Sequence, residues 1–510
     1  MNKRVLSVIE IGSRAIRMSI VEVIDGKISI LEELRQQVRL GKDVFNKGKI
    51  LRSTINQCIL ILKNYKNLCD EYKAEEIYAV AATAVRDASN VDIFIDNIFS
   101  NAGLVVEIIS TTKGTEYVYN AINSNLLNKF KRNDEYQAIV EIGSGTVEIS
   151  IFNRKCIVFS RSLPMGALKM KMIFSDAPNA EEGFFNYLKA AVERELRNLK
   201  REIPASKVSA IYGIGPELEL LTKILNSSEN ENYINKKDLE EFCSKIYSFS
   251  DDEIVHKMNV PYDYTDTFHP IIFMFSKVID FFECDKIYIP KVNLRYGVAL
   301  SVIDSPDKMD FFNKYKIQFK TTAINIGRRL NFDEKHALKV TNLALKIFDE
   351  TKEFHQLCDK EKAYLTIASI LHDIGSSLSD SSHHKHSMYI IKSQDFFYLE
   401  KREKNIIANV ARYHRNSEPK STHPDYMELS PKDRMIVMKL SSILRIADSL
   451  DNTHLQLVKN IRVIKDKPNS LIIVAYVKGQ IFTELYSFRH KKVFFETLFG
   501  VSLRLKIKKD

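Results

Sequence analysis

Apolar positions in the first 300 residues switch repeatedly between a period of two and a period near 3.6, which predicts alternating strands and helices. Beyond residue 330 the two-residue period fades and the chain reads as nearly all helical. Residues 333–351 set Ala337, Val340, Leu343, Ala344 and Ile347 at helical spacing behind Asp333, a suitable N-cap. From about Ile461 alternation returns, in Ser470 to Val477, and is followed by a short helix and a last strand.

One pattern occurs twice. Val8-Ile9-Glu10-Ile11-Gly12-Ser13-Arg14-Ala15-Ile16-Arg17-Met18-Ser19-Ile20 matches Val140-Glu141-Ile142-Gly143-Ser144-Gly145-Thr146-Val147-Glu148-Ile149-Ser150-Ile151, laying Glu10 over Glu141, Gly12 over Gly143 and Ser13 over Ser144. Each copy reads as a strand, an acidic residue, a tight Gly-Ser turn and a second strand, hence a β-hairpin. Two such hairpins imply two similar α/β lobes facing across a cleft. A Gly-Ser turn aims N–H groups and hydroxyls at a phosphate oxygen, and Glu10 or Glu141 at the strand end holds Mg²⁺ or orients a water. A single copy is equally an ordinary polar turn; the duplication favours a phosphate clamp. Gly213-Ile214-Gly215-Pro216-Glu217 is a further turn after a strand, and a lone G-x-G favours a structural role.

A length of 510 residues exceeds one core and predicts three or four folding units. With 45% hydrophobic and 27% charged residues the chain is not disordered. Scarce glycine and absent tryptophan exclude collagen-like, Gly-rich linker and tryptophan-based carbohydrate-binding classes. The net charge of +10 suits a polyanion such as polyphosphate, a nucleotide or nucleic acid. No aromatic-basic motif favours nucleic acid over a solvated charged surface. Six scattered cysteines without a C-x-x-C pair indicate reduced thiols, neither a zinc ribbon nor a disulfide framework. No apolar run approaches the ~20 residues of a membrane span, and the N-terminus meets Glu10 too early for a signal peptide. A cytoplasmic protein with no membrane partner is expected.

The two hairpins resemble the phosphate loops of the actin-like ATPase superfamily, and more narrowly the exopolyphosphatase/guanosine-pentaphosphate phosphohydrolase (Ppx/GppA) family. The supporting segments are Arg39-Leu40-Gly41, Ala82-Thr83-Ala84-Val85-Arg86-Asp87, Leu163-Pro164-Met165-Gly166-Ala167 and Asn293-Leu294-Arg295-Tyr296-Gly297, in that family's order. The resemblance implies hydrolysis of terminal phosphates from polyphosphate, or of the 5′-phosphate of guanosine pentaphosphate (pppGpp), with Mg²⁺ in the cleft. It implies phosphate binding by Gly12, Ser13, Arg14, Arg86, Gly143, Ser144, Gly145 and Thr146, cation binding by Glu10 and Glu141, and catalysis by Glu148 and Glu141. The family's first loop reads Asp-x-Gly-Ser-Asn-Ser, where this chain has Glu10 and Arg14; its second reads Asp-x-Gly-Gly-Gly-Ser-Thr-Glu, where this chain has Glu141 and ends on Glu148. Its catalytic glutamate lies in Ser-Gly-x-Glu-Glu-Ala; here Ser110-Thr111-Thr112-Lys113-Gly114-Thr115-Glu116 leaves Glu116 as the nearest acid and a further catalytic candidate.

Ten of twelve histidines follow position 330. Imidazole and carboxylate ligate Mn, Fe, Zn or Ni, and a bundle can converge them from several helices. The order His336, His372-Asp373, His383, His414, Asp448 resembles the HD metal-dependent phosphohydrolases. That resemblance implies a mononuclear set of His336, His372, Asp373 and Asp448, extended by His383 and His414 to two metals, with Mn²⁺, Fe²⁺ or Zn²⁺ bound. His384 and His386 are ligands in another register or polar anion contacts, whereas His355, His423 and His490 read as surface residues without a role.

The expected fold class is α/β: two actin-like (ASKHA, ribonuclease H-like) lobes at 1–125 and 126–305, an all-α HD-type domain at 306–460, and a small α/β domain at 461–510. The expected function is a Ppx/GppA-type phosphohydrolase acting on polyphosphate or a guanosine nucleotide. The alternatives are an HD-domain nucleotide phosphohydrolase whose front half senses polyphosphate or an alarmone, and a non-enzymatic regulatory binder. The oligomeric state stays open, a homodimer included.

Overall fold

The first copy of the repeat forms β1 (Lys3–Ile11) and β2 (Ala15–Ile24), antiparallel, with Glu10 opposite Arg17. β3 (Lys27–Gln37) adds to β2, while β4 (Glu76–Ala81) and β5 (Val106–Ile108) extend the other side in parallel, so the order is β3-β2-β1-β4-β5. The second copy forms β6 (Gln137–Ile142) and β7 (Val147–Phe152), with Glu141 opposite Glu148. Around them lie β8 (Ile157–Leu163), β9 (Ile211–Ile214), β10 (Tyr233–Asn235) and β11 (Lys286–Tyr288), in the order β10-β11-β9-β6-β7-β8. Both lobes therefore place the hairpin at the centre and continue in parallel from its first strand, through helical crossovers.

The structure is a computed structural model describing residues 3–125, 135–153, 156–175, 180–204, 207–225, 232–246, 249–303, 312–379 and 381–509. The chain forms two compact units, Met1–Ser305 and Pro306–Asp510. In the first unit the Val- and Ile-rich strands bury one core per lobe, around Ile9, Ile16 and Leu62 in one and Val140, Ile149 and Phe275 in the other. The helix Leu294–Ile303 covers the remaining face of the first sheet, against Leu6, Val8 and Val80.

Each Gly-Ser turn is closed by the same bond: Gly12 N–H donates to the Ala15 carbonyl at 3.0 Å, and Gly143 N–H to the Thr146 carbonyl at 2.9 Å. The turn carbonyls then face the helix that follows. Ser13 accepts from Gly41 at 2.7 Å, beside the start of the helix Leu40–Lys47. Gly143 and Ser144 accept from Ala167 and Lys169, each at 3.0 Å, in the helix Ala167–Ser175. Among the described residues, the amides of Ser13, Arg14, Ser144 and Gly145 donate to no acceptor in the chain. The second docking is close enough to require glycine: a Cβ on Gly166 would lie 2.3 Å from the Gly145 carbonyl carbon.

The second unit is helical, with a three-stranded sheet β12 (Val458–Lys467), β13 (Ser470–Val477) and β14 (Ser502–Lys509). The helix expected over 333–351 spans Glu334–Glu350; Asp333 caps it by accepting from His336 N–H at 3.0 Å, and the five predicted apolar positions are buried. The segment 461–510, expected as a domain of its own, packs into this unit. Its helix Phe482–Phe499 lies on the helix Pro431–Ser449, and Lys465 pairs with Glu353 at 3.0 Å. Among the described residues no helix is long and apolar enough to cross a membrane.

Gly166→Ala drives a methyl group into the Ser144-Gly145 turn. It is expected to destabilise the first unit by roughly 1–3 kcal/mol, as overpacking does, measured by urea unfolding.

Candidate functional site

Both turns open on one cavity of about 300 Å³ in the first unit, which Glu10, Glu141, Glu148 and Arg86 also line. The helix Thr111–Asn125 presents Gly114 and Thr115 to it. Glu116, expected as the nearest acid, does not line the cavity. It is buried at 3% exposure, and Lys113 Nζ lies 3.4 Å from its carboxylate. One helical residue past Thr115 rotates the side chain about 100° away, which sequence distance does not reveal.

The first hairpin is internally neutralised. Glu10 receives Arg17 at 3.2 Å and Arg295 at 2.7 Å. Burial raises its pKa, but the two guanidiniums outweigh that and hold it below the usual carboxylate range. Its expected role as a cation ligand is therefore corrected: two fixed cations already occupy the carboxylate. Arg14 is likewise not aimed at a phosphate. Its guanidinium donates to Glu217 and to the Thr267 hydroxyl, and it lies 5.2 Å from the centre of the Tyr264 ring. Glu217, in the turn read as structural, is buried at 1% exposure and ties the first hairpin to the second lobe.

The second hairpin is the opposite case. The position facing Glu141 across the strands is Glu148, so two like charges meet where the first hairpin pairs Glu10 with Arg17. Burial, then Glu148 and Glu10, push Glu141 up to about 8, against the opposing pull of Arg17. Burial also raises Glu148, although Ser162 donates to its Oε1 at 2.8 Å. Glu148 Oε2 is buried and has no hydrogen-bond partner among the described residues. Arg86 is steadied by the Ile109 carbonyl at 2.9 Å and the Thr83 hydroxyl at 3.3 Å. Six glutamates and four arginines line the cavity. A polyanion can enter such a wall only with added positive charge, so the donor set fits a divalent cation at Glu141 and Glu148.

In the second unit the helices converge the histidines. His336 is on Glu334–Glu350, His372-Asp373 follow the helix Asp359–Leu371, His383 opens His383–Ser393, His414 follows Lys401–Arg412, and Asp448 is on Pro431–Ser449. His336 Nε2 lies 3.2 Å from His372 Nε2 and 3.5 Å from Asp448 Oδ1, and Asp373 Oδ2 is 3.6 and 3.5 Å from the two rings. Asp373 Oδ1 lies 3.1 Å from both His383 Nε2 and His414 Nε2, which are 3.4 Å apart. Donors bound at 2.0–2.2 Å to one ion stand about 3–3.5 Å apart, so each group has the spacing of a metal site. Asp373 supplies one oxygen to each.

The outer ring nitrogens set the tautomers. His336 Nδ1 faces Asp451 at 2.9 Å, His372 Nδ1 the Ser369 carbonyl at 2.8 Å, and His414 Nδ1 the Ala411 carbonyl at 2.7 Å. Each partner is an acceptor, so Nδ1 carries a proton and Nε2 is the nitrogen turned inward, the one that would offer a lone pair to a metal. Burial opposes charge on His336, but Asp448 and Asp451 push it up to about 10. A proton there does what a metal cation would do for the same carboxylates.

Three residues of this centre escaped the sequence reading. Asp451 orients His336; His454 stacks on His336 at 3.6 Å and meets Asp333 at 3.0 Å; Lys491 pairs with Asp448. The signal available for the first two was their place just after Asp448, whereas Lys491 gave none. His384 is not within the ligand groups; burial lowers it to about 4. His355, read as a surface residue, is fully buried, with Nε2 2.8 Å from the Phe348 carbonyl and Nδ1 accepting from Leu357 N–H.

The Ppx/GppA phosphatase family model matches residues 19–305, and that for Ppx/GppA phosphatase domain III matches residues 319–470. A solved Ppx/GppA family member from Aquifex aeolicus is 25% identical, with a TM-score of 0.51 over 60% of this chain and 100% of its own. A second structure, an Aquifex aeolicus PPX-GPPA enzyme, is 26% identical, with a TM-score of 0.50 over 59% of this chain and 100% of its own. An exopolyphosphatase from Cytophaga hutchinsonii shares the fold at 18% identity, with a TM-score of 0.54 over 60% of this chain and 99% of its own. The mixed α/β first unit shares the fold of these family members.

Because Glu141 titrates near 8 when folded and near 4.5 when unfolded, its stabilising contribution is complete below about pH 4.5 and is lost as pH rises to 8. At about 1.4 kcal/mol per pKa unit the loss is at most several kcal/mol. Glu141→Gln, which mimics the protonated form, should flatten that decline in chelator-treated protein, measured by denaturant unfolding between pH 5 and 9.

Proposed function

The chain belongs to the Ppx/GppA phosphatase family, hydrolases of phosphoric anhydrides, and from that premise we propose that its first unit releases the terminal phosphate of inorganic polyphosphate or of guanosine pentaphosphate. One observation carries this reading: two turns with free amides share a cavity with the facing pair Glu141 and Glu148, which no salt bridge clasps among the described residues. The amides of Ser13, Ser144 and Gly145, with the Ser13, Ser144 and Thr146 hydroxyls, grip the phosphate chain, and Gly12 and Gly143 leave room for its approach. Arg86 contacts the chain from the side. Glu148 orients the attacking water and takes its proton as the water oxygen bonds to the terminal phosphorus and the bridging P–O bond breaks. Glu141 and Glu148 would hold Mg²⁺, which supplies neutralisation of the phosphoryl oxygens. Glu10 and Arg14 act as scaffold, the one clasped by Arg17 and Arg295, the other by Glu217.

A second reading is favoured by the two histidine groups that share Asp373. In it the second unit is an HD-type, metal-dependent nucleotide phosphohydrolase. His336, His372, Asp373 and Asp448 would hold one ion of Mn²⁺, Fe²⁺ or Zn²⁺, and Asp373, His383 and His414 another, while the first unit senses polyphosphate or an alarmone.

Phosphate release from polyphosphate and pppGpp separates the two. Glu148→Ala should lower it by about 10²-fold or more, the scale of a general base, while His372→Ala with Asp373→Ala leaves it within twofold. The reverse pattern overturns the first reading. Independently, chelator-treated wild-type protein exposed to Mn²⁺ should take up two ions per chain more than the His372→Ala, Asp373→Ala protein by elemental analysis; no difference between the two removes the second reading.

A further inference from the structure

Of the metal-ligand groups of the second unit, all but the fully buried His372 line a cavity of about 690 Å³, within the size range of small-molecule sites. Two fixed cations share that lining. Lys491, on the helix Phe482–Phe499, pairs with Asp448, and its side chain is 14% exposed. Asp448 thus turns Oδ1 to His336 and His372 and its other oxygen to Lys491. Arg415 stands on the opposite flank, its Nη1 3.2 Å from the ring nitrogens of His383. A guanidinium has five N–H donors, so this contact leaves most of them for a ligand. Asp373, with an oxygen in each ligand group, lies between the two flanks.

Charge selects the ligand class. Three carboxylates line the cavity, those of Asp333, Asp373 and Asp448, against Arg415 and Lys491. Two divalent ions would leave an excess of three positive charges, in a pocket where desolvation strengthens each of them. An uncharged ligand cannot answer that excess; a phosphate dianion can, with oxygens toward both ions and toward the flanking cations. Phe332 and Ile374 add an apolar wall where an organic group attached to the phosphate can rest.

We propose that Lys491 and Arg415 are the phosphate-binding residues of the second unit's metal centre, each beside one ion position, so that the last fifty or so residues supply part of that site. The proposal rests on the metal-centre reading of this unit. Its ligand is a terminal phosphate, borne by an organic ester or by inorganic polyphosphate.

The test uses full-length protein saturated with Mn²⁺ and inorganic orthophosphate as the probe, titrated by calorimetry. The binding component lost in His372→Ala, Asp373→Ala protein belongs to the second unit. Lys491→Met should weaken that component at least tenfold while two Mn²⁺ remain bound, Lys491→Arg should keep it within threefold, and Arg415→Met should weaken it to a similar extent as Lys491→Met. Competition by adenosine monophosphate against tripolyphosphate then assigns the source of the phosphate. Unchanged orthophosphate binding in both Met variants, with two Mn²⁺ retained, overturns this proposal alone. Wild-type protein that binds no Mn²⁺ in the second unit, or no orthophosphate component that depends on it, overturns it too, and the absence of Mn²⁺ also overturns the metal-centre reading beneath it.

Discussion

The docking of each Gly-Ser turn onto the helix that follows it is the constraint on which the first unit depends. A buried turn must satisfy its carbonyls, and here they accept from Gly41 in one lobe and from Gly166, Ala167 and Lys169 in the other. With the carbonyls drawn to that side, the amides of Ser13, Ser144 and Gly145 are left for the cavity. Gly166 is the steric condition of the arrangement, because any side chain there would occupy the space of the turn itself.

Given equivalent turns, the difference between the lobes comes down to one cross-strand position. Arg17 opposite Glu10 makes the first hairpin electrostatically complete, and Arg295 reinforces it. Glu148 opposite Glu141 makes the second incomplete. Duplicated backbones have thus acquired different duties: one braces, through Arg14 and Glu217, and the other is left asking for positive charge.

The hairpins were legible in the sequence because each is set by spacing along one short stretch of chain, and the histidines because their order matches a known ligand order, although five helices carry them. The strand–acid–Gly-Ser pattern recurs in register, and Ala337, Val340 and Leu343 mark their helix without help from the rest of the fold. What was not legible depends on partners far along the chain. Arg14 meets Glu217 and Thr267 more than 200 residues away, and Lys491 reaches Asp448 from a helix that carries no periodic signal of it. Glu116 and His355 failed for a related reason: sequence gives proximity and residue type, but the direction of a side chain is decided by packing, which buried both.

The crowding of Glu141 against Glu148 has a consequence for how the cleft exchanges matter with solvent. A carboxyl that titrates near 8 carries hydrogen at neutral pH. Any doubly charged ion drawn between the pair must expel that hydrogen, so arrival of the ion acidifies the medium and its departure takes an equivalent back. Were such an ion held there, the cleft would act as an ion exchanger, with a grip that tightens as the surroundings become more alkaline.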